Sequence, residues 1–335
     1  MKIDFTKIRT YPLRERKSKV SVKDFAGPIT GSMSVDRFIA ALPDILATHD
    51  FRAIVEACRT ARQRGKPIIW AIGGHVIKCG LSPVLIDLMK RGYVQHLAMN
   101  GAGLIHDFEI SMVGSTSEDV EASLGQGGFG MARETGEWVN RAINGQVAAG
   151  CGLAEAVGKS LVEGFNRVAA GSSRRNANSG PRFDFLKLSL LATAYRMKIP
   201  ATIHLAIGTD IIHNHPAVDG RCLGEGALRD YRTFVESVAG LSGGGVFLNF
   251  GSAVIMPEVF LKAVSLVRNQ GLPLRHFTTA NFDFIQHYRG VQNVVKRPTQ
   301  RGAGRGFSIT GHHEFMLPLL AAALTGRLPN VRKRG

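Results

Sequence analysis

Two short apolar segments that end in glycines constrain the fold of this chain more than any other feature. Residues 67–75 read Pro-Ile-Ile-Trp-Ala-Ile-Gly-Gly-His, and residues 94–103 read Val-Gln-His-Leu-Ala-Met-Asn-Gly-Ala-Gly. Parallel α/β sheets expose backbone N–H groups at such strand-to-helix turns, and glycine there lets a phosphate approach closely. Neither segment matches the G-x-G-x-x-G dinucleotide fingerprint, so ordinary strand-to-helix turns are the alternative interpretation.

The composition indicates a globular protein with a sizeable core. The 335 residues are 44% hydrophobic and 20% charged, which suits one large α/β domain or two smaller ones. No apolar run approaches the roughly 18–20 residues of a membrane span, and no signal peptide is recognisable at the N-terminus. The four cysteines include no C-x-x-C pair, so neither a zinc knuckle nor a disulfide framework is expected. These features favour a cytoplasmic protein.

The net charge of +16 is concentrated at the two ends of the chain. We expect a basic N-terminal arm over residues 1–33 and a basic tail over residues 327–335. Basic segments attract polyanions, but no RNA-binding motif, helix-turn-helix or zinc finger accompanies them. A solvated basic surface or an acidic protein partner is therefore preferred over nucleic-acid binding.

Apolar strands alternate with amphipathic helices along the rest of the chain. Strands are predicted near residues 68–72, 95–99, 201–207, 246–250 and 276–279. Helices are predicted over residues 35–48, 51–64, 118–124, 130–144, 153–168, 185–197, 231–241, 257–269 and 314–324. This alternation predicts a doubly wound, mostly parallel Rossmann-like sheet in a single large α/β domain over residues 34–326.

Several short motifs in this order resemble deoxyhypusine synthase, with a match over roughly residues 35–326. The motifs are Ile77-Lys-Cys-Gly-Leu81, Asn100-Gly-Ala-Gly103 with His106-Asp107, Lys198-Ile-Pro200, Thr278-Thr-Ala280 and Leu317-Pro-Leu-Leu320. The resemblance implies a Rossmann-like fold, NAD as the cofactor, a polyamine-type substrate and a homotetramer.

The resemblance also assigns residues to the cofactor and to the substrate. The implied NAD contacts are Gly73, Gly74, His75, Cys79, Asn100, Ala102, Gly103, Asp107, Gly251, Ser252, Thr278, Thr279, Ala280, His312 and His313. The family's Asp-Gly-Ser-Leu-Gly-Asp segment meets Gly208-Thr-Asp-Ile-Ile-His213, so Asp210 and His213 are the candidates for binding the substrate. A polyamine needs carboxylates to hold its ammonium groups, and the plausible suppliers are Asp107, Asp210 and Asp219.

Lys296 lies in register with the lysine that forms an imine with the aminobutyl group in that family. A lysine must be uncharged to attack an imine carbon, so burial and a lowered pKa are expected for a catalytic Lys296. The alternative is one more cation beside Arg297 in a basic loop. Other family positions differ, since Gly290 replaces an acidic residue and Val294 a tryptophan. The family's catalytic histidine is also absent.

Three functions follow from these observations. The first is an NAD-dependent aminobutyl transferase with a divergent substrate, and the second is a nucleotide-binding protein without turnover. The third is a metallohydrolase that uses the histidines in Asp210-Ile-Ile-His-Asn-His215 and His312-His-Glu314. Because the histidine spacing lacks a matched acidic ligand, we predict no tight metal site.

Overall fold

A six-stranded parallel sheet organises the molecule in a computed structural model, which describes residues 3–165 and 180–326. The strands are β1 (Ile68–Ile72), β2 (His96–Asn100), β3 (Ala201–His204), β4 (Val246–Phe250), β5 (Phe277–Asp283) and β6 (Gly304–Thr310). Their order is β3-β2-β1-β4-β5-β6, and every pairing is parallel. The predicted doubly wound α/β fold is confirmed.

Strand β1 shows why the apolar runs are continuous. Ile68, Trp70 and Ile72 pack in one core, whereas Ile69 and Ala71 pack in the core on the opposite face of the sheet. Successive side chains of a strand point to opposite faces, so a strand covered on both sides needs apolar residues at every position.

Twelve α-helices cover the two faces within the described residues. They are α1 (Val35–Ala41), α2 (Leu46–Gln63), α3 (Gly74–Lys78), α4 (Ser82–Lys90), α5 (Gly101–Val113), α6 (Val120–Leu124), α7 (Arg133–Val147), α8 (Leu153–Glu163), α9 (Leu190–Met197), α10 (Gly220–Ala239), α11 (Ile255–Asn269) and α12 (His313–Thr325). Helices α10 and α11 pack on one face, and α2, α4, α5, α7, α8, α9 and α12 supply the core of the other. A π-helical segment, Gly290–Lys296, connects β5 to β6.

Several helix boundaries differ from the predictions: α2 begins at Leu46 and not at residue 51, α7 is Arg133–Val147 and not 130–144, and α9 begins at Leu190 and not at residue 185. Two further boundaries differ for identifiable local reasons. The helix predicted over residues 35–48 ends at Ala41, because Pro43 holds Leu42 in an extended conformation with φ −61° and ψ 151°. Helix α10 begins at Gly220, well before the predicted residue 231. The side chain of Asp219 accepts hydrogen bonds from the N–H groups of Arg221 and Cys222 there.

The sheet extends further than predicted on the β5–β6 side. Strand β5 continues to Asp283, whereas the sequence predicted its end near residue 279, and β6 was not predicted. Strand β6 is an edge strand with one buried residue, Ile309, and it contains two glycines and an arginine. It therefore lacks the apolar run by which the other strands were found.

Parts of three predicted segments lie outside the described residues. They are the whole tail at 327–335, residues 1 and 2 of the arm, and residues 166–168 of a predicted helix. The arm at residues 3–31 contains three short 3₁₀ turns. No helix in the described part of the chain is long and apolar enough to cross a membrane.

Candidate functional site

The point where the strand order reverses lies between β1 and β4, and two glycine turns meet there. A Cβ added to Gly73 would lie 2.2 Å from the carbonyl oxygen of Gly251 and 3.2 Å from the nitrogen of Ser252. Gly251 itself has φ +65°, which disfavours any side chain. In open α/β sheets, ligands bind outside the carboxyl ends of the strands at this reversal. We call this place the switch crevice.

A buried histidine fills the switch crevice. His313 is fully buried, and neither of its ring nitrogens has a hydrogen-bond partner in the described part of the chain. Its Nε2 lies 3.8 Å from Oδ1 of Asp283 and 2.6 Å from where a Cβ on Gly251 would be. Burial lowers the pKa of His313, and the nearby Asp283 carboxylate opposes this effect. The ring is therefore neutral at pH 7.

Aromatic side chains form the outer rim of the switch crevice. The rings of Phe284 and His312 stack with centroids 5.8 Å apart, and His75 meets His313 edge-on at 5.6 Å. His75, His312 and Phe284 are exposed at the surface. The thiol of Cys79 lies 3.7 Å from Glu314, and burial together with this carboxylate raises the pKa of the thiol. Cys79 is thus a poor nucleophile.

A hydrogen-bonded network of three side chains, which the sequence analysis did not predict, lies behind Gly74. Thr116 Oγ1 donates to Glu109 at 2.5 Å, so it must accept the Nδ1 proton of His106, which lies 2.7 Å away. Burial lowers the pKa of His106 to about 4. A Cβ on Gly74 would lie 2.7 Å from Cδ2 of the His106 ring. No motif indicates this contact, because Thr116 lies in a loop ten residues beyond His106.

The glycine turn that follows β2, at the start of α5, already has a carboxylate beside it. A Cβ on Gly101 would lie 2.2 Å from the carboxylate of Asp210, and Asn100 accepts a hydrogen bond from Gly103 at 3.0 Å. Burial raises the pKa of Asp210. A phosphate at this helix end would compete with Asp210 for the same place, so the turn is a weaker phosphate site than the sequence suggested.

Two residues assigned to NAD by the resemblance face the protein interior. The carboxylate of Asp107 is buried and accepts hydrogen bonds from the hydroxyl of Ser189 and from the N–H groups of Leu190 and Leu191 at the start of α9. Burial raises its pKa to about 6 against these bonds. Gly103 is buried, and a Cβ added to it would lie 3.0 Å from the Cβ of Met99. Ala102 packs against Gly74 instead.

Three further assigned residues lie away from the carboxyl edge. Thr278, Thr279 and Ala280 are buried in the first half of β5, and the hydroxyl of Thr279 donates to Val294. Since β5 ends four residues later than predicted, Asp283 and Phe284 occupy the place expected for these three. A correctly placed strand end would have identified both residues.

Lys296 does not have the burial expected for an imine-forming lysine. It is exposed at the end of the π-helical segment, two residues before Pro298, whose carbonyl accepts a hydrogen bond from Arg268 in the last turn of α11. The switch crevice adjoins the first turn of α11, so Lys296 lies at the other end of that helix. The catalytic role of Lys296 stays a prediction, and it lacks the burial that an imine-forming lysine needs.

The remaining histidines are dispersed. His213 accepts a hydrogen bond from Gly208, and His215 packs against Gly136 in α7, whereas His312 and His313 belong to the switch crevice. Across residues 3–165 and 180–326, no three His, Cys, Asp or Glu side chains are placed to share an ion. The structure thus brings together Gly73, Gly74, His75, Cys79, Gly251, Ser252, His312 and His313.

Comparisons with known proteins assign this chain to no family. No protein-family model matches the sequence, and no curated protein matches it. Solved structures are similar at low identity. A cyanobacterial arginine dihydrolase, ArgZ, has 16% identity and a TM-score of 0.48 over 85% of this chain. A putative deoxyhypusine synthase from Entamoeba histolytica has 10% identity and a TM-score of 0.46, covering 87% of this chain and 93% of that one.

A third structure, AgrE in complex with ornithine and NAD⁺, has 20% identity and a TM-score of 0.48 over 84% of this chain. This chain spans 33% of the length of ArgZ and 34% of that of AgrE. At these values the similarities assign no family, ligand or activity. The strand order itself defines the chain as a doubly wound parallel α/β protein, and the resemblance to deoxyhypusine synthase stays a prediction.

Proposed function

We propose that the chain binds NAD or a closely related nucleotide in the switch crevice and uses it to oxidise a small alcohol or amine. The observation that carries this proposal is the fully buried imidazole of His313 at the reversal of the strand order, which has no hydrogen-bond partner among residues 3–165 and 180–326. An unpaired polar group in a protein interior is costly, and a ligand that bonds to it removes that cost.

The residues around the switch crevice fit such a nucleotide. Gly73 and Gly251 bring two backbone turns together without side chains, and the rings of His75, Phe284 and His312 offer apolar faces to a planar base. The start of α5 is excluded because Asp210 already lies there. Since His313 has no exposed surface, the exposed rim of Phe284 and His312 must move aside for a ligand to enter.

The chemistry divides between cofactor and chain. NAD, when bound, supplies the acceptor for a hydride. A substrate alcohol or amine that loses a hydride from carbon must also lose a proton from oxygen or nitrogen, and neutral His313 is placed to accept it. The carboxylate of Asp283, 3.8 Å away, then stabilises the imidazolium that forms. Lys296 takes no part in this scheme, so aminobutyl transfer through a lysine imine is the less supported version.

Nucleotide binding without turnover is the second candidate. Asp107 and Asp210 are the acids that the resemblance offered to a cofactor or a polyamine, and both are engaged by backbone groups of this fold. A protein of this kind would bind NAD and leave it unreduced whatever alcohol or amine is added.

Calorimetric titration with NAD⁺ tests the proposal. We expect saturable binding, weakened about tenfold in His313→Ala, because one hydrogen bond to a buried group contributes ~1–2 kcal/mol. His49→Ala, at an exposed histidine in α2, is the matched control and should bind normally. Thermal unfolding of each variant verifies that it is folded. Failure of the wild-type chain to bind NAD⁺ or NADH would refute the proposal. Binding without formation of NADH in a panel of small alcohols and amines would favour the second candidate.

A further inference from the structure

The N-terminal arm, residues 3–31, exposes an unusual amount of apolar surface. Nine large apolar side chains are exposed by 54–77%: Ile3, Phe5, Ile8, Tyr11, Leu13, Val20, Val22, Phe25 and Ile29. Large exposed apolar patches on soluble proteins mark interaction sites, and nine large apolar side chains within 27 residues make the arm a candidate for one. The arm is nevertheless anchored, since Gly27 donates a hydrogen bond to Ala41 and Asp44 donates one to Asp24.

The arm is also strongly basic. Residues 3–31 contain seven lysines and arginines and three acidic residues, one of which, Asp24, is buried. The cations alternate with the apolar side chains, as in Lys7-Ile-Arg9 and Lys19-Val-Ser-Val-Lys23. A surface that binds this arm should therefore be both apolar and acidic.

One surface of the same chain has those two properties. Residues 113–131, which include α6 and which we call the acidic patch, expose four large apolar side chains: Val113, Val120, Leu124 and Met131. Glu118, Asp119 and Glu121 are exposed among them. No lysine or arginine occurs between residues 92 and 132, although the whole chain carries a net charge of +16.

The arm and the acidic patch do not cover each other within one chain. Apolar side chains of both remain exposed in the same structure, so neither surface is covered by the described part of its own molecule. We infer that the arm of one copy of this chain lies on the acidic patch of a second copy. Reciprocal exchange of two arms uses both surfaces on both copies and closes a dimer.

Charge reversal in the full-length chain tests this inference. The first variant reverses the charge of the arm by Arg14→Glu, Lys17→Glu and Lys19→Glu. The second variant reverses the charge of the acidic patch by Glu118→Lys and Glu121→Lys. Sedimentation velocity should show that the wild-type chain is a dimer and that each variant alone is largely monomeric, with dimerisation weakened at least tenfold. Mixing the two variants should restore dimers, because each arm then meets a patch of opposite charge. Arg196→Glu with Arg232→Glu, at exposed positions outside the arm, is the matched control and should remain dimeric.

Three results would overturn the inference. They are a monomeric wild-type chain, an oligomer that neither reversal weakens, and a mixture of the two variants that fails to associate. A monomer that binds an acidic polymer such as heparin through the arm would assign the arm to a different partner. Circular dichroism of each variant shows whether a loss of association reflects unfolding, and restoration on mixing cannot arise from unfolded chains.

Discussion

At Gly152 the backbone passes so close to Asp230 that an added Cβ would lie 1.8 Å from the carboxylate Oδ1. This buried carboxylate accepts hydrogen bonds from Ala154 at the start of α8 and from Ile203 in the edge strand β3. Burial raises its pKa to about 7, against the effect of these bonds. Asp230 thus connects a helix, an edge strand and the helix α10 on which it lies.

We predict that Gly152→Ala lowers the free energy of unfolding by ~2–3 kcal/mol, because the methyl group displaces the Asp230 carboxylate from its partners. Urea denaturation measures this loss. Gly220→Ala is the matched control, since nothing lies within 4 Å of its added Cβ and it begins α10. The control should be neutral or slightly stabilising, and equal destabilisation by both substitutions would contradict the role of Asp230.

Two buried histidines should make the fold sensitive to acid. His96 and His204 both bond to the hydroxyl of Thr202, and burial lowers the pKa of each to about 3. As the pH falls below the usual histidine pKa of about 6.5, the unfolded chain binds protons that the folded chain refuses, so stability decreases. Asp107 and Asp230 act in the opposite direction, because their raised pKa values make the folded chain bind protons first.

We therefore predict that His204→Gln flattens the decline in stability between pH 6.5 and pH 4. Urea unfolding at a series of pH values measures the slope of the free energy of unfolding against pH. The control His49→Gln, at an exposed histidine, should keep the wild-type slope. Because the variant loses a buried hydrogen bond, its stability at pH 7 is expected to be lower. The slope, not the stability at one pH, is the test, and an unchanged slope would count against a neutral His204.

Among the strands, those with continuous apolar runs could be predicted from the sequence, and the exposed edge strand β6 could not. β1, β2 and β4 are buried on both faces, so their residues identify them. β6 is an edge strand with one buried residue, and α10 carries three glycines in its first half. The same difference explains which residues of the switch crevice could be predicted. The glycine turns that follow β1 and β4 were found, but Asp283 and Phe284 were missed because the end of β5 was misplaced.

The last helix is held at its end by a residue distant in sequence. The guanidinium of Arg59 in α2 donates to the carbonyl of Ala323 and to that of Gly326, both at 2.5 Å. These carbonyls lie at the C-terminal end of α12, where a positive charge is favourable. α12 begins with His313, so this bond helps to fix the helix that carries the central residue of the switch crevice.

We predict that Arg59→Ala lowers the free energy of unfolding by ~2 kcal/mol, because charge-assisted hydrogen bonds to two carbonyls are lost. Chemical denaturation measures the loss, with Arg64→Ala, at an exposed position just after α2, as the control. Hydrogen exchange should also show faster exchange in the last turn of α12. If Arg59→Ala and Arg64→Ala are equally stable, the carbonyl contacts do not anchor the helix.

At the scale of the whole molecule, the parallel sheet brings the reversal point, the glycine turns and the buried His313 to one edge. Other cavities lie elsewhere. One of about 310 Å³, lined in part by Tyr195, Lys198 and Asp230, opens beside the amino end of β3. Because ligands of such sheets bind at the carboxyl edge, we place the nucleotide in the switch crevice and not in this cavity.

A crystal structure of the chain with NAD⁺ tests that placement most directly. We predict the nucleotide on the outer face of the touching turns at Gly73–Gly74 and Gly251–Ser252, with His313 newly hydrogen-bonded and the rings of Phe284 and His312 displaced. A nucleotide bound in the cavity beside Lys198, or at the start of α5 in place of the Asp210 carboxylate, would contradict the account.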